Sequence, residues 1–176
     1  MKIILYIATS QDGFIADKNG SVDWLNSYNN IEGEDCGYAE FYNSIDIIVM
    51  GSHSYEQILG FGEWPYKEKD TYIFTKRNLK SDLSNVFFIS KNPKVFIQDL
   101  NVTEPTQQIW LLGGTELIKS FDQHNLIDEV IITVVPTELG QGIKLELSYA
   151  NFELTDQKVC KAGIIQKVMR RNNQRK

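Results

Sequence analysis

At 176 residues, with 42% hydrophobic and 11% aromatic side chains, the chain is long enough for one sizeable core and too apolar to be disordered. It has no run of about 18 apolar residues, so no membrane span is expected, and a formal net charge of −5 argues against general nucleic-acid binding. Cys36 and Cys160, the only cysteines, sit in no metal or redox spacing, so reduced thiols in a cytoplasm are expected.

The opening Met1-Lys2-Ile3-Ile4-Leu5-Tyr6-Ile7-Ala8 has the look of a signal peptide, but its apolar run is short and leads straight into Gln11-Asp12-Gly13. Ile3 to Thr9 is therefore a first, central strand. A turn at Ser10 to Gly13 follows, then extended Phe14-Ile15-Ala16 and a second turn at Asp17 to Ser21. Asp23-Trp24-Leu25 lies in a loop, with Trp24 either a core plug or a ligand contact. Residues 26 to 36 are polar and read as a mobile loop. Tyr38, Phe41, Tyr42 and Ile45 recur at helical spacing and predict a helix from about 36 to 45.

Ile47-Ile48-Val49-Met50 is a buried strand running into Gly51-Ser52-His53-Ser54. Ser54 with Gln57 has the capping-box pattern, and Tyr55, Ile58 and Leu59 form the apolar face of the helix that follows. Thr71 to Thr75 is a strand ending at Lys76-Arg77, and Val86 to Ile89 is another. Asn92-Pro93 reads as an N-cap with proline at the first helical position, with Val95, Phe96 and Leu100 facing inward. Ile109-Trp110-Leu111-Leu112 is a strand covered on both faces. Gly113-Gly114 then makes a tight turn, either one that lets a ligand approach the backbone or a plain strand-to-helix turn that needs glycine only for geometry; Thr115 caps a helix, and Leu117, Ile118 and Phe121 form its apolar stripe to about His124-Asn125. Glu129 to Val135 is a strand and Pro136 to Gly142 a loop. Phe152 to Cys160 and Ile164 to Arg170 form a terminal hairpin around Ala162-Gly163. The basic tail of Lys167, Arg170, Arg171, Arg175 and Lys176 reads as a solvated edge, with a phosphate-binding patch as the alternative.

This order predicts a single α/β domain over residues 1–176 on a mixed sheet. Ligands of such sheets bind outside the carboxyl ends of the strands, and three strand ends carry suitable residues: Gly51 to Ser54, Thr75 to Arg77, and Gly113 to Glu116. Free N–H groups at the helix starts suit an anion such as a phosphate. The basic pair Lys76-Arg77 has the charge and fork geometry that a 2′-phosphate requires, and otherwise is two solvated cations. His53 and His124 are too few for a histidine-rich metal site, and no metal is expected. No P-loop or G-x-S-x-G elbow occurs. Asp12, Asp23 and Asp35 lie in the N-terminal loops, each a proton donor, a ligand for a substrate's polar edge, or a turn former.

Together these pieces resemble the dihydrofolate reductase-like superfamily, and most of all the C-terminal reductase domain of the bifunctional riboflavin-biosynthesis deaminase/reductase. The carrying stretches are Ala8-Thr9-Ser10-Gln11-Asp12-Gly13-Phe14-Ile15-Ala16, Asp23-Trp24-Leu25, Val49-Met50-Gly51-Ser52-His53-Ser54-Tyr55-Glu56 and Phe74-Thr75-Lys76-Arg77. They continue with Leu112-Gly113-Gly114-Thr115-Glu116-Leu117, Leu126-Ile127-Asp128-Glu129 and Pro136-Thr137-Glu138-Leu139-Gly140-Gln141-Gly142. The resemblance implies a three-layer α/β/α fold with a mixed, mostly parallel central sheet and a C-terminal antiparallel hairpin. It implies NADPH as cofactor, hydride transfer to a small heterocycle (a pyrimidine of the 5-amino-6-(5-phosphoribosylamino)uracil type or a pterin), and a homodimer.

By the same resemblance Leu112, Gly113, Gly114, Thr115 and Glu116 would receive the pyrophosphate, with a cis peptide between the glycines. Gly51, Ser52, His53 and Ser54 with Thr75, Lys76 and Arg77 would surround the adenosine phosphates. Ala8 and Ile15 would flank the nicotinamide, and Asp12, Trp24 and Asp35 would border the substrate, with Asp12 the catalytic candidate. Ser52 stands where the family commonly has arginine, so a cation for the 2′-phosphate must come from His53, Lys76 or Arg77. The acidic residue that dihydrofolate reductases place in the first helix is matched here only by Asp35, just ahead of Cys36-Gly37-Tyr38-Ala39, and there is no deaminase zinc motif. A nucleotide-binding module without redox turnover is the rival expectation.

Overall fold

A computed structural model describes residues 1–28, 31–33, 35–103 and 106–172. Arg175 and Lys176 of the basic tail lie outside the described residues. In chain order the elements are β1 (Lys2–Ser10), β2 (Phe14–Ala16), α1 (Tyr38–Ser44), β3 (Ile47–Gly51), α2 (Ser52–Gly60), β4 (Asp70–Phe74) and β5 (Val86–Ile89). Then come α3 (Pro93–Thr103), β6 (Gln108–Gly113), α4 (Thr115–Gln123), β7 (Glu129–Val135), β8 (Ile143–Lys144), β9 (Phe152–Val159) and β10 (Ile165–Arg171). Eight strands form one mixed sheet in the order β5-β4-β3-β6-β1-β7-β10-β9, and β2 pairs with β8 in a second. The mostly parallel sheet with its C-terminal antiparallel hairpin is the fold the sequence predicts. The chain divides into two compact units, Met1–Leu5 with Ser44–Asp128, and Tyr6–Asn43 with Glu129–Lys176.

In the first unit β3 pairs in parallel with both β4 and β6, and β6 pairs in parallel with the start of β1. Strands covered on both faces read as unbroken apolar runs, and Ile48, Val49, Met50, Ile109 and Leu111 are all fully buried. Phe121 and Ile118 of α4 join Ile73 of β4 in this core. Asn92 accepts the Lys94 N–H at 2.8 Å, so Pro93 does sit at the first position of α3. Phe96 and Ile97 are buried, while Val95 is exposed and not inward as its spacing suggested.

In the second unit β7, β10 and β9 run antiparallel. Ala162 and Gly163 turn the hairpin with φ of 56° and 75°, the left-handed values such a turn demands. Glu129, buried, meets the exposed Arg170 across the β7–β10 register at 3.0 Å, and the Arg171 guanidinium lies 4.4 Å over the Phe152 ring. Two of the tail's cations are thus engaged, not merely solvated.

The reduced-thiol expectation is corrected here. Cys36 and Cys160, 124 positions apart, form a disulfide with Cα atoms 5.8 Å apart. Their pairing was illegible in the sequence because the spacing of two cysteines carries no topology. The bond joins the segment ahead of α1 to the residue that follows β9, and it centres a cluster with Val135 and Ile164. Trp24, Leu25, Tyr28 and Ile31 pack against that cluster, so part of the polar 26–36 stretch is anchored. Tyr28 also meets the Thr137 hydroxyl at 2.8 Å.

Candidate functional site

The parallel registers of the first unit bring its strand ends side by side. Gly51 aligns with Phe74 of β4, and Met50 with Gly113 of β6. The β3–β6 register slips between Val49 and Met50, where half-buried Leu112 is passed over just before the glycines. Gly51 to Ser54, Thr75 to Arg77 and Gly113 to Glu116 therefore share one edge of this unit, as the chain order predicts.

Both helices at this edge begin without a side-chain cap. Gly51 is the N-cap residue of α2 and Gly114 that of α4, and neither start has a side-chain cap bond. The capping roles read for Ser54 and Thr115 are corrected: each helix begins earlier than the pattern suggested, because the strand runs into it with no intervening loop. The first-turn N–H groups of two helices are left for a ligand. Each helix dipole favours an anion there by about 0.3–1 kcal/mol.

Bare backbone lies between the two starts. Gly114 has φ +95°, and a Cβ there would stand 3.3 Å from both the N and Cα of Gly51, so only glycine fits. Gly113 and Gly51 have ordinary conformations. A Cβ at Gly113 would lie 3.6 Å from the Ser54 hydroxyl, and one at Gly51 would lie 3.7 Å from Gly114 Cα, both ordinary contacts. Among the described residues there is no cis peptide bond. The expected cis Gly113–Gly114 bond is thus corrected to trans, and the left-handed Gly114 makes the turn instead.

Ser52 and Ser54 are half-buried on the first turn of α2, and His53 is exposed. Thr75 is half-buried and its hydroxyl accepts the Arg77 N–H at 3.0 Å, shaping the turn that carries exposed Lys76. Arg77 sets both terminal nitrogens on the Glu56 carboxylate, at 3.0 and 2.7 Å. That bond holds Glu56 below the usual carboxylate range and raises Arg77. Glu56 belongs to the motif read from sequence, but no spacing rule pairs it with a residue 21 positions on. Thr115 is half-buried and Glu116 exposed on the first turn of α4.

The second unit holds the other candidates. Ala8 on β1 and Ile15 on β2 are half-buried. Asp12 accepts from the Ser10 hydroxyl at 2.7 Å and from the backbone N–H groups of Leu139 and Gly140 at 3.1 and 2.7 Å. The Ser10 bond first, with the two backbone bonds, holds its carboxyl below the usual range. Asp35 accepts from the N–H groups of Gly37 and Ala39 at 2.8 and 2.9 Å, ahead of α1, and is lowered chiefly by the Ala39 bond. Trp24, in a short 3-10 turn, packs on the disulfide cluster, and its indole N–H is buried without a partner among the described residues.

Tyr6 was missed in the sequence. It points to the same face of β1 as Ala8, two residues on, and strand alternation is the signal that finds it. Its ring stacks on Phe41 at 4.3 Å between centroids, and its hydroxyl accepts from the Gln166 amide at 3.1 Å. Burial pushes the phenol above its usual range.

Comparison with known proteins follows the same lines. The family model of the RibD C-terminal domain matches residues 64–164. Uncharacterized protein YwjB of Bacillus subtilis (strain 168) is 40% identical over 146 residues, 82% of each chain. The crystal structure of a putative riboflavin biosynthesis protein from Shewanella sp. PV-4 superposes with a TM-score of 0.86 at 31% identity, covering 98% of this chain and 100% of that one. A diaminohydroxyphosphoribosylaminopyrimidine deaminase/5-amino-6-(5-phosphoribosylamino)uracil reductase from Thermotoga maritima superposes with a TM-score of 0.70 at 15% identity. The match covers 97% of this chain and 56% of that one, and at that identity the likeness is one of fold. No helix among the described residues is long and apolar enough to cross a membrane.

Proposed function

This chain belongs to the RibD C-terminal domain family, and on that premise we propose that it is an NADPH-dependent reductase of a small heterocycle, a pyrimidine of the riboflavin-biosynthesis type or a pterin. The observation that carries the reading is the pair of uncapped helix starts meeting across Gly51 and Gly114. One helix start holds one phosphate weakly. Two that face a side-chain-free backbone suit a pyrophosphate, whose two anionic groups lie close together. The residues present fit the group. Gly113, Gly114 and the first turn of α4 would take one phosphate, and Gly51, Ser52 and Ser54 the other. Lys76, His53 and Arg77 would stand nearest an adenosine phosphate.

Bound NADPH supplies the hydride. The chain supplies phosphate anchoring and orientation. Its N-terminal carboxylates do not offer themselves as acids, since Asp12 and Asp35 are both held in the charged form by donors to them. That observation favours the second reading, a nucleotide-binding module without turnover. Calorimetric titration with NADPH, followed by absorbance at the nicotinamide band with a panel of pyrimidines and pterins, separates the two. Saturable binding with oxidation by at least one heterocycle is expected. Binding with no turnover across the panel gives the second reading, and no binding removes both. A homodimer is proposed from the resemblance alone, and light scattering on the purified protein tests it.

A further inference from the structure

The proposed phosphate edge carries a charged pair. Arg77 follows β4, Glu56 sits in the second turn of α2, and the two form an end-on fork, Nη1 to Oε1 at 3.0 Å and Nη2 to Oε2 at 2.7 Å. Both side chains are about half exposed, at 48% and 43%. The fork engages two of the five guanidinium N–H groups and leaves the Nε edge and the outer hydrogens for a second acceptor. Arg77 therefore remains able to bind a phosphate, but it arrives there already neutralised. His53 stands three residues before Glu56 on the same helix face, close enough to act on its charge. The first turn of α2 carries no acidic residue. Of the two basic side chains that follow β4, Arg77 is thus offset within its fork, and exposed Lys76 stands beside it.

We infer that Glu56 tunes the dinucleotide preference of this site: it holds Arg77 as an ion pair and lowers the positive charge that a 2′-phosphate would otherwise meet, so NADPH is favoured over NADH by less than about ten-fold. The inference rests on the dinucleotide reading of this edge. A 2′-phosphate carries nearly two negative charges, and its repulsion through water from a carboxylate that shares its guanidinium partner is worth about three- to ten-fold in affinity.

Glu56→Gln keeps the shape and one acceptor and removes the charge. Calorimetry on the purified protein is expected to show NADPH bound by the wild type within about ten-fold of NADH. In Glu56→Gln, NADPH is expected to tighten about three- to ten-fold and NADH to change less than two-fold. Arg77→Gln, which leaves Glu56 unpaired, should weaken NADPH, and the double variant Glu56→Gln/Arg77→Gln should recover most of that loss. An exposed ion pair contributes little to folding, so all three variants should melt with the wild type. Weaker NADPH binding in Glu56→Gln would mean that Glu56 positions Arg77 for the phosphate, and would overturn the inference. An unchanged NADPH-to-NADH ratio would overturn it too, with the dinucleotide site intact. A wild type that binds neither dinucleotide removes the site reading itself, and this inference with it.

Discussion

The strand ends of the first unit and the N-terminal loops of the second offer the same kinds of groups and use them in opposite ways. At the strand ends, backbone donors are left open: two helices start without side-chain caps, and a bare glycine backbone lies between them. In the loops, the acceptors are already taken. Asp12 receives three hydrogen bonds and Asp35 two, all from the chain itself. An unsatisfied donor at a strand end is a binding capacity, whereas a satisfied carboxylate in a turn is a fastening. The difference teaches that a polar residue's place near a cleft says less than whether its hydrogen bonds are already spent.

The largest expected effect breaks the fastened region. Cys160→Ser removes the disulfide that anchors the loop ahead of α1 and the end of β9. A bridge across so long a separation is worth about 2–4 kcal/mol, roughly 5–15 °C in melting temperature for a chain of this size. Differential scanning calorimetry should show that drop, and reducing agent should reproduce it in the wild type. NADPH affinity measured well below the lowered melting point should stay within two-fold, since the residues proposed to hold the phosphates all belong to the first unit, and Ala8 and Ile15, the nicotinamide candidates of the second, are not in the disulfide cluster. A parallel loss of affinity would mean that the two regions are not independent.

Next in size is a contrast within the open region. Gly114→Val forces a branched residue to φ +95° and 3.3 Å from the Gly51 backbone. It should cost about 1–3 kcal/mol in backbone strain, and more for the contact. Gly113→Ala meets only the Ser54 hydroxyl at 3.6 Å and should fold normally. It should nevertheless weaken NADPH about ten-fold, the worth of one charge-assisted phosphate contact. Melting curves and titrations of the two proteins check this. Equal stability of the two variants would show that the tight turn is not held as described, and full NADPH affinity in Gly113→Ala would take the pyrophosphate away from this backbone.

The open region was largely legible in the sequence because its signal is local. A buried apolar run, a glycine and a helical stripe follow within about ten residues, as at Ile47 to Leu59 and Ile109 to Phe121, and the parallel sheet then aligns the ends. What stayed illegible was long-range pairing. Nothing near Arg77 in the chain announces Glu56, nothing near Cys36 announces Cys160, and Asp12 finds its partners at Leu139 and Gly140. The trans Gly113–Gly114 bond was missed for a different reason. Two glycines permit several tight turns, and the surroundings that a given turn must fit, here Gly51 of another strand, are not written beside them in the chain. Tyr6 was hidden in plain alternation, read as one apolar residue of a strand while its hydroxyl reaches Gln166 of β10.

The smallest effect concerns Asp12 and decides whether the fastening is also a catalyst. Oδ1 takes the Ser10 hydroxyl and the Leu139 N–H, and Oδ2 takes the Gly140 N–H. In Asp12→Asn the amide oxygen can replace Oδ1, but the amide nitrogen would face the Gly140 N–H donor to donor, so the clamp on the Leu139-Gly140 turn opens. The sign with pH follows from the direction of the shift. The carboxyl is held below its usual range in the folded chain, so its contribution is fully present above the unfolded value of about 3.9 and is lost as the pH falls toward the folded value. Wild-type stability should therefore fall below about pH 4. Asp12→Asn should start lower at neutral pH and fall less steeply through that window, with a modest change in melting temperature. Asp35, lowered by its bonds from Ala39 and Gly37, should behave alike in Asp35→Asn. If Asp12 only fastens the turn, turnover per folded molecule on whatever heterocycle the panel identifies should stay within about two-fold and keep its pH profile. If it also moves a proton, turnover should fall about a hundred-fold or more and the profile should lose a limb, since a positioned acid or base is worth that much. Its bonds place it on the fastening side, because a carboxylate that three donors keep ionised is a poor acid at neutral pH.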